Sequence, residues 1–103
     1  MKPIIIQTTT NSKDEARNIA KVLLESKLAA CVQISKIDSL YIWENEMCED
    51  EEYLIIIKTK KEKFKKIKSK IKELHSYDLP EIISINIDDL SKEYKKYIGD
   101  NIK

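Results

Sequence analysis

The chain's only histidine, His75, opens the stretch HSYDLPEII (75–83), which also holds Tyr77, Asp78 and Glu81. Imidazole, phenol and carboxylate this close in sequence are the raw material of acid–base chemistry, or of a metal or small-ligand site. The other intrinsically reactive side chains are Cys31 and Cys48, which form neither a CxxC metal pair nor a disulfide framework. Cys31 lies inside the apolar LAACV and is expected as a small core residue. Cys48 stands among carboxylates whose negative charge repels a thiolate, so it is not expected to act as a nucleophile. No Ser/His/Asp or Cys/His pair has local support, and the chain is not expected to be an enzyme. A lone histidine fills one position of a histidine-rich metal site unless other chains contribute the rest.

Charge narrows the functional classes further. Lys plus Arg number 19 and Asp plus Glu 18, a formal net charge of +1 that gives no support for binding nucleic acid or an anionic membrane. The charge is unevenly placed, with residues 44–52 (ENEMCEDEE) almost wholly acidic and residues 58–72 (KTKKEKFKKIKSKIK) carrying nine lysines. The lysine run reads as a solvated helix face, because phosphate recognition recruits arginine and Arg17 is the only one. The acidic run reads as a device that keeps a strand edge soluble, in preference to a loose cation store. No stretch approaches the ~20 apolar residues of a membrane span, so the expectation is a soluble, cytoplasmic protein.

The elements that must position these residues follow from local pattern. A length of 103 residues with 42% hydrophobic content fits one domain, 1–103, with one modest core. PIIIQTT (3–9) predicts a strand, and Ser12-Lys-Asp-Glu15 a capping box that opens a helix with Ala16, Ile19, Ala20 and Leu23 on one face, running to about Ser26. From Leu28 the pattern becomes β-branched and aromatic, with Cys31, Gln33, Ser35, Ile37, Ser39, Tyr41 and Trp43 on one parity. Small residues on that parity give way to large ones near position 37, which predicts a bulge or bend. NEMCEDE is expected as the turn of a long hairpin, and EYLIIIKT as its returning strand. Thr59-Lys-Lys-Glu62 predicts a second capping box, before a helix with Phe64, Ile67, Ile71 and Leu74 as its apolar stripe. Pro80 forbids that helix from continuing, PEIISINID is read as a strand, and a short last helix is expected after Asp88 or Asp89 with Gly99 as its C-terminal cap.

The order βαββαβ plus a short C-terminal helix is the α+β, ferredoxin-like arrangement, a four-stranded antiparallel sheet with two helices on one face. Unbroken apolar runs at Ile4–Ile6, Leu54–Ile57 and Ile82–Ile87 predict burial of both sheet faces, whereas two helices cover one. A second copy of the chain is the expected cover, and the long hairpin offers a free edge for pairing between subunits. Among functions this architecture hosts, an RRM-type RNA binder needs aromatics on the central strands, where this chain has isoleucines. An acylphosphatase-type enzyme needs a glycine-rich anion loop, and no glycine precedes Gly99. A PII-like trimeric allosteric regulator of a small anionic ligand, and a structural trimer that serves as a partner platform, remain as alternatives. His75 itself falls at a helix C-terminus, where its ring can cap carbonyls.

Several stretches, in order along nearly the whole chain, resemble the CutA family of divalent-cation tolerance proteins. They are Thr8-Thr9 followed by Glu15-Ala16, Leu28-Ala29-Ala30-Cys31, Ser39-Leu40-Tyr41-Ile42-Trp43-Glu44, Lys58-Thr59, and His75-Ser76-Tyr77-Asp78-Leu79-Pro80-Glu81-Ile82-Ile83. The resemblance implies a ferredoxin-like subunit in a homotrimer and a role in tolerance of copper and other divalent cations, with no established reaction. It also implies a ligand-binding cleft between subunits, for which Tyr41, Trp43, Lys58, His75, Tyr77 and Glu81 are the candidates, taking a small anion or a weakly held metal ion. In bacterial members with assigned copper ligands, a first-strand cysteine falls by position on Gln7, and two adjacent histidines fall on Leu74 and His75. Of that set this chain keeps His75 alone as a candidate metal ligand. No cofactor is therefore required, and copper or another divalent cation would be weakly bound.

Overall fold

The computed structural model describes residues 1–103. The elements run β1 (Pro3–Thr10), α1 (Lys13–Glu25), β2 (Cys31–Trp43), β3 (Glu46–Lys60), α2 (Phe64–Leu74), β4 (Ile83–Asn86) and α3 (Lys92–Asp100), with a single 3-10 turn (Lys61–Lys63) leading into α2. The strands form one antiparallel sheet in the order β2-β3-β1-β4. Ile4 and Ile6 of β1 and Ile55 and Ile57 of β3 point to the helical side, where Ala16, Ile19, Leu23, Ile67 and Ile71 complete the main core. At ~25 cal/mol per Å² of apolar surface, each fully buried isoleucine stabilises this layer by roughly 1.5–3 kcal/mol.

The helix signals act locally. Ser12 accepts the Glu15 N–H at 3.2 Å, as a capping box requires, but the Glu15 carboxylate turns away from Ser12 to accept the Thr10 and Ser76 hydroxyls. Thr59 does not cap α2 at all. It is the penultimate residue of β3, fully buried, and donates its hydroxyl to the Leu28 carbonyl at 2.7 Å, so the chain enters α2 through the 3-10 turn with no side-chain cap.

The hairpin differs from expectation in two respects. Its turn is the two-residue loop Glu44–Asn45, both at positive φ (50° and 64°), the geometry of a type I′ turn, so the acidic run from Glu46 onward is strand and not turn. The register then passes without a break from Cys31↔Lys58 to Trp43↔Glu46, and there is no bulge near Ile37. The change of composition along β2 has another cause. Strand β1 ends at Thr10↔Tyr53, and beyond that point β2 and β3 continue as a two-stranded arm with no third strand beside them. The arm leaves Leu40, Ile42, Trp43 and Met47 exposed and stretches the subunit to 44 × 26 × 22 Å.

At the other end of the chain, β4 is shorter than expected, and Ser91, not Asp88 or Asp89, caps α3 by accepting the Tyr94 N–H. Gly99 lies inside α3 and Asn101 follows as its C-cap, bonding back to the Tyr97 carbonyl. The second sheet face is only partly covered within one chain. Ile98 and Ile102 pack on Ala30 at one end, while Ile5, Leu54 and Ile56 are half-buried and Ile83 and Ile85 remain 44% and 45% exposed.

Candidate functional site

A cleft of about 700 Å³ opens where the arm leaves the sheet, between β2 residues Asp38–Tyr41 and Trp43 on one side and Tyr77–Leu79 and Glu81 on the other. Thr9 and Glu52 complete its lining. Strand alternation places Tyr41 and Trp43 on one parity, and the register sets Glu52 opposite Ile37 of that same parity. Pro80 keeps the segment after α2 out of helix, which brings Tyr77 and Glu81 across to face the arm.

The cleft is acidic and aromatic. Asp38, Glu52, Asp78 and Glu81 supply four carboxylates and no lysine or arginine lines it. Glu52 is buried, at 8% exposure, and accepts the Tyr77 hydroxyl at 2.8 Å. Burial, followed by that bond to a carboxylate, pushes the Tyr77 phenol well above its ordinary range. Tyr41 donates to Asp50, and this bond is the main reason that its phenol is pushed up to about 12. Both phenols are donors to carboxylates, Tyr41 to Asp50 and Tyr77 to Glu52. Gln7 reaches the cleft's edge by donating its Nε2 to Glu81 at 2.9 Å.

His75 lies behind this cleft. Its side chain has no exposed surface. Nε2 is 2.7 Å from the Thr9 carbonyl, which only accepts, and Nδ1 is 3.0 Å from the Tyr77 N–H, which only donates. The two bonds together fix the neutral Nε2–H tautomer and tie the end of α2 to β1. Glu15 stands 3.6 Å from Nδ1. Burial raises its carboxyl pKa, but hydrogen bonds from the Thr10 hydroxyl and from the Ser76 hydroxyl and backbone outweigh that and hold it below its ordinary value.

Of the six sequence candidates, Tyr41, Trp43, Tyr77 and Glu81 meet in the cleft. His75 supports it through the Tyr77 backbone, and Lys58 does not line it, its Nζ lying 5.4 Å from the Tyr94 ring centroid. Glu52 and Asp38 escaped the sequence reading. The signal lay in the turn, because placing the loop at Glu44–Asn45 fixes the register and carries Glu52 to the parity of Tyr41 and Trp43. The residues at the positions of the copper ligands do not make a copper site. Gln7 is an amide bound to Glu81, Leu74 has no donor atom and both His75 nitrogens are engaged. No group of three or more His, Cys, Asp or Glu side chains is placed to hold a metal ion directly.

Comparison with known proteins places this geometry in a family. Residues 4–101 match the family model described as CutA1 divalent ion tolerance protein. The chain is 40% identical over 98 residues to the divalent-cation tolerance protein CutA of Thermus thermophilus, covering 94% of this chain and 95% of that one. It is 37% identical over 100 residues to the protein of that name in Pyrococcus horikoshii, covering 97% and 98%. Among solved structures, that of the periplasmic divalent cation tolerance protein CutA from Archaeoglobus fulgidus superposes with a TM-score of 0.95 at 40% identity, over 98% of this chain and 99% of that one. CutA1 from Oryza sativa also superposes with a TM-score of 0.95, at 31% identity, over 100% and 95%.

Proposed function

Because the chain belongs to the CutA1 divalent ion tolerance family, we propose that it serves divalent-cation tolerance by holding the ion, without catalysing a reaction. The observation that carries this reading is the cleft's charge, four carboxylates with no cationic side chain among the lining residues. An anionic ligand, which the sequence also allowed, would meet only repulsion there. Since the carboxylates are not grouped closely enough to strip and chelate one ion, the cation keeps its hydration shell and is held weakly. Tyr41, Trp43, Tyr77 and Glu81 border the bound ion, and His75 acts by positioning Tyr77.

The functional unit in this reading is a homotrimer of single-domain subunits. The half-exposed second sheet face with Ile83 and Ile85, and the apolar arm residues Ile42 and Met47 outside the cleft, supply the surface that two further copies would bury. No helix is long and apolar enough to cross a membrane, and the unpaired thiols of Cys31 and Cys48 suit the cytoplasm.

Calorimetric titration with copper and zinc chlorides tests the binding. The protein should give a saturable heat, weakened about tenfold or more when the exposed Asp78→Asn and Glu81→Gln changes are combined. Equal heats for both proteins would refute the cleft as the site. Light scattering should give three times the subunit mass of 12.1 kDa.

A further inference from the structure

In the sequence the lysines of residues 58–72 form one solvated run, and the fold sorts them into two sets. Ile67 and Ile71 turn the apolar stripe of α2 to the core, which puts Lys65, Lys68 and Lys72 on one flank of the helix, with Lys61 in the 3-10 turn ahead of them. These residues recur at intervals of four, three and four. They therefore stand one above the next on a ridge about 16 Å long, with roughly 5–6 Å between neighbouring Cβ atoms. Lys61 and Lys65 border the same hollow beside Ser84 and Asn86 of β4, so the alignment holds across the turn.

This ridge carries no negative charge. Glu62 and Glu73 are the only carboxylates between residues 60 and 74, and each is engaged by a lysine off the ridge, Glu62 by Lys60 at 3.7 Å and Glu73 by Lys70 at 3.3 Å. No ion pair reaches Lys61, Lys65, Lys68 or Lys72. Like charges three and four residues apart repel and weaken a helix, so α2 gains from the arrival of a matching line of negative charge. Lys61, Lys65 and Lys72 are exposed, and the ridge lies on the helical side of the sheet, away from the sheet face and the arm that two further copies would bury.

We propose that the ridge Lys61, Lys65, Lys68 and Lys72 binds inorganic polyphosphate, a thin linear chain with a negative charge on each phosphate. The width of the ridge selects this partner. It is one side chain across, and Glu62 and Glu73 lie beyond it on the same helical segment, so a broad polyanion such as a DNA duplex would meet carboxylates as well as lysines. Residues 60–74 hold no arginine, and their one aromatic ring, Phe64, is half-buried with the Lys68 Nζ 5.9 Å from its centroid, which leaves nothing on which bases could stack. Lysine ammonium groups act as point charges on flexible stems. They suit a chain whose phosphates take no fixed register, whereas the planar fork of arginine suits a single phosphate held in place. The ridge is independent of the cleft, so this proposal and the cation reading stand or fall separately.

Calorimetric titration of the full chain with long-chain sodium polyphosphate should give saturable binding. Its log K should fall against log salt with a slope of about −3, as for four lysines on a single-stranded phosphate chain. Lys65→Gln, Lys68→Gln and Lys72→Gln combined keep the helix propensity, and should weaken binding about tenfold or more and bring the slope to about −1. Lys63→Gln, Lys66→Gln and Lys92→Gln combined remove the same charge from other positions and should weaken binding less than about threefold. Circular dichroism verifies that both triple variants fold. Orthophosphate at equal phosphate concentration should give no saturable heat, and a short DNA duplex and phosphatidylglycerol vesicles should bind more weakly than polyphosphate. No polyphosphate binding, an equal loss in the two triple variants, saturable binding of orthophosphate alone, or tighter binding of the duplex or the vesicles overturns the proposal.

Discussion

Replacing His75 with alanine separates a structural histidine from a ligand. The imidazole has no exposed surface and supplies the donor to the Thr9 carbonyl at 2.7 Å and the acceptor for the Tyr77 N–H at 3.0 Å. Thr9 is 8% exposed, so its carbonyl loses a partner that water does not readily replace, at ~1–3 kcal/mol. The Tyr77 N–H belongs to a half-exposed residue and recovers part of its bond from water. At roughly 24 cal/mol per Å³, an unrelaxed hole the size of an imidazole adds about 1–2 kcal/mol. The expected loss is about 3 kcal/mol, and His75→Gln, which can still donate to Thr9, should lose less. Guanidinium unfolding followed by circular dichroism measures it, at one fixed protein concentration because in the proposed trimer apparent stability would depend on concentration. Zinc binding by the folded variant should change little. A His75→Ala protein within ~0.5 kcal/mol of the parent that has lost its zinc heat would refute this reasoning, since the ring would then be a ligand and not a tie.

Glu15 should shape the acid limb of stability. Its folded pKa lies below the ordinary 4.5, so its contribution is present above that value and is lost as pH falls through the folded pKa. Glu15→Gln should therefore flatten the decline of stability below about pH 4.5, as followed by unfolding at a series of pH values. In the arm, Glu44 and Asn45 both occupy left-handed backbone, which costs residues with a Cβ roughly 1–2 kcal/mol. The pair Glu44→Asn and Asn45→Gly should raise the unfolding free energy by about 1 kcal/mol; a decrease would show that the Glu44 side chain has a role that the turn geometry does not explain.

The sequence was most legible where one residue decides the local structure. Ser12 starts α1, Pro80 ends any continuation of α2, and the apolar stripes at Ile19, Leu23, Ile67 and Ile71 face the core as their spacing requires. It misled where a side chain had two uses. Thr59 carries the pattern of a helix cap but is consumed by the Leu28 carbonyl, and Gly99 has the composition of a helix stop yet lies inside α3. The acidic run looked like a loop because carboxylates are poor strand formers. It is strand because its partner across the ladder, Ser39–Trp43, is β-prone and the two-residue turn holds the pair in register.

The sequence by itself determined the order of elements, the family likeness and four of the residues that meet in the cleft, because strand parity, helix period and proline stops are properties of neighbours along the chain. Only the tertiary structure decided what His75 does and what charge the cleft carries. Thr9, Glu52 and the segment from Tyr77 to Glu81 come from separate parts of the chain, and it is the sheet register and the path after α2 that bring them together. That register turned His75 inward to the Thr9 carbonyl and Glu52 toward Tyr77. His75 thereby stands behind a cleft of carboxylates and phenols.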